Sequence, residues 1–224
     1  MYIPEGVNEV LLHACCAPCS SAIVEWLLAH DIRPIIYYFN PNIYPEEEYA
    51  IRKCESQRHA AELGIRWIDG DYNHESWRCA MSGLESEPER GKRCEACFRY
   101  RLLETAKVAQ QEGITWFATT LASSRWKNLE QINAAGNWAA DEIAALTDRF
   151  ADRAQTAALT DKSVKFWAQN WRKGGLQNRR NELLKEFGFY NQLYCGCEFS
   201  MRGLEQQKQQ HDAGRSEQDT VKTV

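Results

Sequence analysis

Short strand-forming runs alternate with amphipathic helical stretches up to residue 121, and this alternation leaves few folds open. Residues 7–14, centred on Val10, Leu11 and Leu12, read as a buried strand. Residues 20–30 follow as a helix with Ala22, Ile23, Trp26 and Leu27 on one face, Pro18 at its entrance and Ser20 as its N-cap. Residues 34–39 are continuous β-formers ending in the turn Asn40-Pro41-Asn42. A charged amphipathic helix over 46–63 closes at Gly64, and 65–68 read as a third short strand. A helix over 95–111 turns Phe98, Leu102, Leu103, Ala106 and Ala109 inward and ends at Gly113; residues 115–121 form another buried strand. The alanine-rich stretch 126–161 is mostly helical. Strands alternating with helices make βαβ units, so the expected fold is α/β: a Rossmann-like parallel sheet covered by helices, with a helical C-terminal portion. In such sheets ligands sit at the carboxyl ends of the strands, where Cys15 and Cys16 fall.

One domain over residues 1–203 is expected, followed by a polar tail at 204–224 that begins with a cluster of glutamines. No apolar run approaches the roughly 20 residues that span a bilayer, and residues 1–6 lack the charged and apolar regions of a signal peptide. The expected location is the cytoplasm, with no membrane partner. The net charge of −4 does not advertise a nucleic-acid binder, although a global value says nothing of a local patch.

Nine cysteines in a reducing compartment need a reason other than structural disulfides. Core filling suits the solitary Cys54 and Cys79. It does not suit the other seven, which fall into three groups: Cys15-Cys16-x-x-Cys19, Cys94-x-x-Cys97 and Cys195-x-Cys197. An iron–sulfur cluster wants four converging thiolates, and Cys94 and Cys97 with the strand-end pair Cys15 and Cys16 supply them. A closed zinc site of Cys94, Cys97, Cys195 and Cys197 is the competing reading, and it leaves the first group unexplained. The Cys-x3-Cys-x2-Cys spacing of radical S-adenosylmethionine enzymes is absent. An ATP-dependent enzyme with this strand–loop–helix start would need a glycine-rich pyrophosphate loop, and Cys15-Cys16-Ala17-Pro18 has no glycine. Cys195-Gly196-Cys197 can close only a tight disulfide ring away from the usual minimum, which favours redox cycling over structural support. The same two residues as metal ligands remain the alternative.

Arg172, Lys173, Arg179 and Arg180, interleaved with Trp167 and Trp171, are candidates for gripping a phosphate backbone while a ring stacks on a base. The plainer alternative is an amphipathic helix with core tryptophans and solvated charges; Gly174 and Gly175 argue for a shaped loop instead. Tyr37 and Tyr38 line either the pocket or the core, and His13 is a ligand, a proton donor or a buried structural histidine.

These segments in this order resemble the QueH type of epoxyqueuosine reductase. The resemblance rests on residues 11–20 (LLHACCAPCS), 38–43 (YFNPNI), 93–102 (RCEACFRYRL), 117–124 (FATTLASS), 171–175 (WRKGG) and 194–200 (YCGCEFS), and it runs from about 8 to 203. It implies a HUP-type α/β fold and two-electron reduction of the epoxide of epoxyqueuosine to queuosine at the tRNA wobble position. It also implies a [4Fe–4S] cluster on Cys15, Cys16, Cys94 and Cys97, and a redox-active pair at Cys195 and Cys197. Further implications are tRNA as partner and an electron donor the sequence does not name. Relatives often carry aspartate where this chain has Cys19, which makes Cys19 the candidate ligand of an additional iron. Trp126 stands where relatives are expected to carry proline or tyrosine, a difference of local loop shape.

Overall fold

The computed structural model describes residues 1–151 and 163–201. Its centre is a five-stranded, all-parallel sheet in the order β3-β2-β1-β4-β5, built from β1 (Glu9–His13), β2 (Arg33–Tyr38), β3 (Trp67–Asp69), β4 (Trp116–Thr119) and β5 (Lys165–Phe166). The expected α/β, Rossmann-like architecture is the observed one. β1 is central because Val10, Leu11 and Leu12 are fully buried, as a strand covered on both faces requires. It pairs with β2 from Glu9↔Arg33 to His13↔Tyr37 and with β4 from Leu11↔Phe117 to His13↔Thr119.

The chain runs from β1 outward to β3, then crosses back to β4 and β5. Right-handed crossovers therefore put the outgoing helices on one face and the returning ones on the other. Helix α1 (Ala17–Leu28) packs with α2 (Glu46–Glu62) and with α6 (Leu176–Glu186). On the return path α3 (His74–Ala80) leads into α4 (Lys92–Gln111), which packs along α5 (Leu129–Ala151). The strand order reverses between β1 and β4, which opens a crevice at their carboxyl ends.

Three local expectations are corrected. Helix α1 starts three residues earlier than Ser20, with Cys16 as its extended N-cap and Pro18 in its first turn. A proline there sacrifices no hydrogen bond, and the Ser20 hydroxyl donates back to the Cys16 and Ala17 carbonyls instead of capping. Cys54 and Cys79 are exposed, not core filler, because each lies on the solvent side of its helix. Lys165 and Phe166 form strand β5, where the plainer alternative places an amphipathic helix. Phe166 of β5 fits against Gly136 of α5, where an added Cβ would sit 2.4 Å from the Phe166 ring.

Trp167 and Trp171 are core residues. Both are buried and pack edge-on to each other at 5.4 Å, with Trp26 of α1 5.7 Å from Trp171. Neither is available to a base. The helical expectation beyond residue 151 and the polar tail at 204–224 fall outside the described residues.

Candidate metal centre and nucleic-acid interface

The first cysteine group sits in the β1/β4 crevice. The peptide N–H of Cys15 donates to the Thr120 hydroxyl at 3.2 Å, and that hydroxyl reaches the Cys15 sulfur at 3.4 Å. The chain then turns into α1, so Cys16 stands at the helix N-cap and Cys19 in its first turn. Cys15, Cys16 and Cys19 converge, with their sulfurs within 4.8 Å of one another. The Cys15 and Cys16 sulfurs are 3.8 Å apart, well beyond a disulfide bond. Hydrogen bonds from Cys16 and Cys19 hold the Cys15 thiol well below its ordinary range, while burial pushes Cys16 up. The Gln192 amide donates to the Cys16 sulfur at 2.9 Å.

Behind the cysteines the strand ends are locked by polar residues. His13 is fully buried between Thr119 (Nδ1, 2.8 Å) and the Phe39 carbonyl (Nε2, 3.1 Å). A carbonyl only accepts, so Nε2 carries the proton and Nδ1 accepts from the Thr119 hydroxyl. Burial, with the Arg101 charge nearby, lowers its pKa to about 3. Of the three roles open to His13, the neutral structural one fits this geometry. Asn40 donates to the Ala14 carbonyl at 2.9 Å and accepts from buried Arg101, tying the ends of β1 and β2 to α4. Tyr37 and Tyr38 are core.

Cys94 and Cys97 lie in the first two turns of α4, and the Arg90 peptide N–H donates to the Cys94 sulfur at 3.2 Å. They line a cavity of about 250 Å³ together with Cys195 and Cys197. A second cavity, of about 590 Å³, is lined by Cys15, Cys19 and Cys195. Cys195, Trp126, Lys127, Leu193 and Tyr194 line both. Two of the three cysteine groups thus face each cavity, and Cys195 is common to both. The four cysteines expected to share a cluster are divided between the two groups. Burial opposes a charge on Lys127, but the sulfurs of Cys195, Cys15 and Cys19 more than offset this and hold its pKa above the ordinary lysine value.

Cys195-Gly196-Cys197 is docked as a rigid loop. Cys197 forms an antiparallel bridge with Ile43, and Tyr44 N–H donates to the Gly196 carbonyl at 2.8 Å. Arg52, buried and paired with Glu48, donates to the Tyr194 and Cys195 carbonyls. Both cysteines are thiols here; burial, then Cys195, pushes Cys197 up to about 11. Gly196 has φ +95°, and a Cβ there would lie 2.9 Å from both Arg52 Nη1 and Ile43 Cγ1. Gly196→Ala is therefore expected to cost about 2–3 kcal/mol of unfolding free energy in denaturant titrations, from strain and overpacking together. An unchanged midpoint would show that the loop is not held this way.

The larger cavity is strongly electropositive. Arg52, Arg125, Lys127, Arg172 and Arg180 line it, and no carboxylate does among the described residues, in a chain whose net charge is −4. Of the basic residues singled out in the sequence, Arg172 and Arg180 are on its wall. Arg179 instead makes a double hydrogen bond to Glu25 at 2.7 Å and pairs with Glu182 and Glu186, and Lys173 is exposed away from the wall. Sequence reasoning missed Arg52, Arg101, Arg125, Lys127 and Gln192. Each acts through a tertiary contact that carries no local spacing signal.

Of the four cysteines expected to hold a [4Fe–4S] group, Cys94 and Cys97 line the smaller cavity and Cys15 lines the larger one. Arg93 Nε and Arg101 Nε are buried N–H donors without partners among the described residues, and both residues line the smaller cavity. Unpaired buried donors are costly, and they match an anionic, sulfide-bearing guest.

The fold and the site together define a Rossmann-like α/β protein with a thiol-rich site at its strand-end crevice that could hold a metal, opening into a basic cavity. The sequence profile described as epoxyqueuosine reductase QueH matches residues 10–203. Relatives of that name include proteins from Haemophilus influenzae (41% identical, covering 95% of this chain and 79% of the relative), Histophilus somni (42%, 89% and 75%) and Acinetobacter baylyi (40%, 89% and 84%). The chain belongs to the epoxyqueuosine reductase QueH family. Among solved structures, the U34-tRNA thiolase NcsA from Methanococcus maripaludis with its [4Fe–4S] cluster aligns at a TM-score of 0.48 and 14% identity, over 87% of this chain and 62% of that one. No helix among the described residues is long and apolar enough to cross a membrane.

Proposed function

We infer that this chain is an epoxyqueuosine reductase: an oxidoreductase that converts the epoxide of epoxyqueuosine, at the wobble position of tRNA, to the alkene of queuosine. The observation that carries the reading is the joint one of family membership and three thiol groups facing two adjoining cavities. The reaction breaks two C–O bonds, forms one C–C π bond and releases water, consuming two electrons and two protons. A dithiol passing to a disulfide yields two electrons and two protons. Cys195 and Cys197 are proposed as that pair, and an external electron donor returns the disulfide to the dithiol.

Cys15, Cys16, Cys94 and Cys97 are proposed to hold a [4Fe–4S] cluster, with Cys19 as a ligand to an additional iron. So bound, these groups supply one-electron transfer and a Lewis acid for the epoxide oxygen. The chain's own residues do the rest. Lys127 sets a cation between the thiols, where negative charge develops on oxygen. Gln192 donates to the Cys16 sulfur and would steady it as a ligating thiolate. Buried Trp77 and Phe98 form the apolar part of the smaller cavity's wall.

Arg125, Arg172 and Arg180 are proposed to meet the phosphates of the anticodon loop, with the modified nucleoside drawn out of the stack into the larger cavity, as chemistry on a base requires. Arg180→Gln should flatten the salt dependence of tRNA binding by roughly one phosphate contact, while Lys173→Gln leaves the slope unchanged. The reading itself is tested by incubating the reduced protein anaerobically with epoxyqueuosine-containing tRNA and digesting the product for mass spectrometry. Loss of one oxygen from the nucleoside supports it, and an intact epoxide under reducing conditions removes it.

A further inference from the structure

Residues 124–127 connect the end of β4 to α5 and form the rim shared by the two cavities. The backbone of this loop is clamped from two directions. Arg172 donates to the Ser124 and Lys127 carbonyls at 2.5 and 2.7 Å. Arg90 donates to the Trp126 and Arg125 carbonyls at 2.8 and 3.2 Å. Four consecutive carbonyls are thus held by two guanidiniums, and the Trp126 N–H is held by the Ser124 hydroxyl. Arg90 itself sits at φ +67°, a conformation a non-glycine residue rarely adopts, and Gln131 holds its carbonyl.

What this clamped loop presents is an indole. Trp126 is 49% exposed and lines both cavities, as does Leu193, which is 73% exposed. A single exposed apolar side chain needs no explanation. A tryptophan fixed on a rigid loop is different when it stands at the entrance to an electropositive cavity with Arg125 beside it. Ordering the backbone in advance removes the entropy that a flexible loop would lose on binding, so more of a contact made by the indole appears as affinity. Single-stranded nucleic acid is held by this combination of aromatic faces and nearby cations.

We propose that Trp126 is a stacking platform for a nucleobase of the tRNA anticodon loop next to the reacting nucleoside. This rests on the reading of the chain as a tRNA-modifying reductase and adds the residue that receives the displaced strand. Arg90 is then a positioning residue, because its side chain fixes the platform while its peptide N–H holds the Cys94 sulfur. The base is stacked on the same framework that places a thiol of the redox site.

The test is fluorescence anisotropy of a labelled anticodon stem–loop RNA titrated with the full-length, anaerobically prepared protein, over a range of salt concentrations. Trp126→Leu, which keeps apolar bulk without a π face, should weaken binding roughly ten- to hundredfold, and Trp126→Phe should stay within about threefold of the parent protein. The salt slope should be the same in all three, because stacking releases no counterions, and the iron content should not change. Equal binding by the Leu and Phe variants, or a changed slope in either, would overturn the platform. Parent protein that binds the stem–loop but leaves an epoxyqueuosine tRNA unreduced would sink the reductase reading and leave the platform standing. Failure of the parent protein to bind the RNA would remove both.

Discussion

Cys195→Ser is expected to abolish turnover while the protein keeps its iron and its colour. Cys195 lines both cavities, so it is the thiol in contact with each half of the site. Serine preserves its size and leaves the loop intact, since the loop is held by the Ile43–Cys197 bridge, the Tyr44–Gly196 hydrogen bond and the Arg52 contacts to backbone carbonyls. A hydroxyl cannot form the disulfide that balances two electrons and two protons. The rate with epoxyqueuosine tRNA should therefore fall on the order of 10³-fold or more. Absorbance and iron per chain, measured on the same sample, should match the parent protein. Loss of iron in this variant would instead make Cys195 a metal ligand and remove the division of labour between the cysteine groups.

Cys16→Ala is expected to do the reverse and remove the metal itself. Cys16 is 1% exposed, so its sulfur does not face bulk solvent. It caps α1 in an extended conformation, with no side-chain hydrogen bond to the helix that alanine would forfeit. The fold should survive, judged by unchanged far-ultraviolet circular dichroism, because the lost sulfur is small and the strand–helix connection is fixed by Asn40 and Thr120. A cluster that loses one of four thiolates should not persist, and the roughly four cluster irons per chain should be lost. Cys19→Ser is the informative contrast. It should leave the cluster iron in place and lower turnover through the additional iron alone. If Cys19→Ser and Cys16→Ala lose equal amounts of iron, the ligand set is Cys15, Cys16 and Cys19, the three sulfurs that already converge.

Most of the sheet was legible because continuous apolar runs such as residues 10–12 and 35–38 have one use, as interior parallel strands. β5 was not, since two residues carry no periodicity and the flanking lysine and tryptophans resemble a basic, aromatic RNA motif. Only the packing of Phe166 on Gly136, and of Trp167 and Trp171 with Trp26, reveals that segment as core. Helix α3 was also missed, being short and bounded by loops, and it brings Trp77 against Cys97 and Cys197.

The cysteine groups were legible from their spacing and the position of the first group from strand logic. The basic wall was legible only in part. Arg179 has the same local look as Arg180, but Glu25 claims it from another helix, and no spacing rule foresees that contact. Lys127 and Arg125 stand in an unremarkable loop, and they matter because the β1/β4 crevice opens beneath them. Gly196 was noted for the tightness of a Cys-Gly-Cys ring, whereas its physical necessity comes from the approach of Arg52 and Ile43.

The central claim is that the thiols at the strand-end crevice build an iron–sulfur site. Anaerobic purification followed by metal, sulfide and absorption analysis of the parent protein tests it most directly. The expected result is a brown protein with broad absorbance near ~400 nm, roughly four sulfides per chain, and roughly four cluster irons with up to about one further iron. A colourless protein carrying stoichiometric zinc and no sulfide would contradict it.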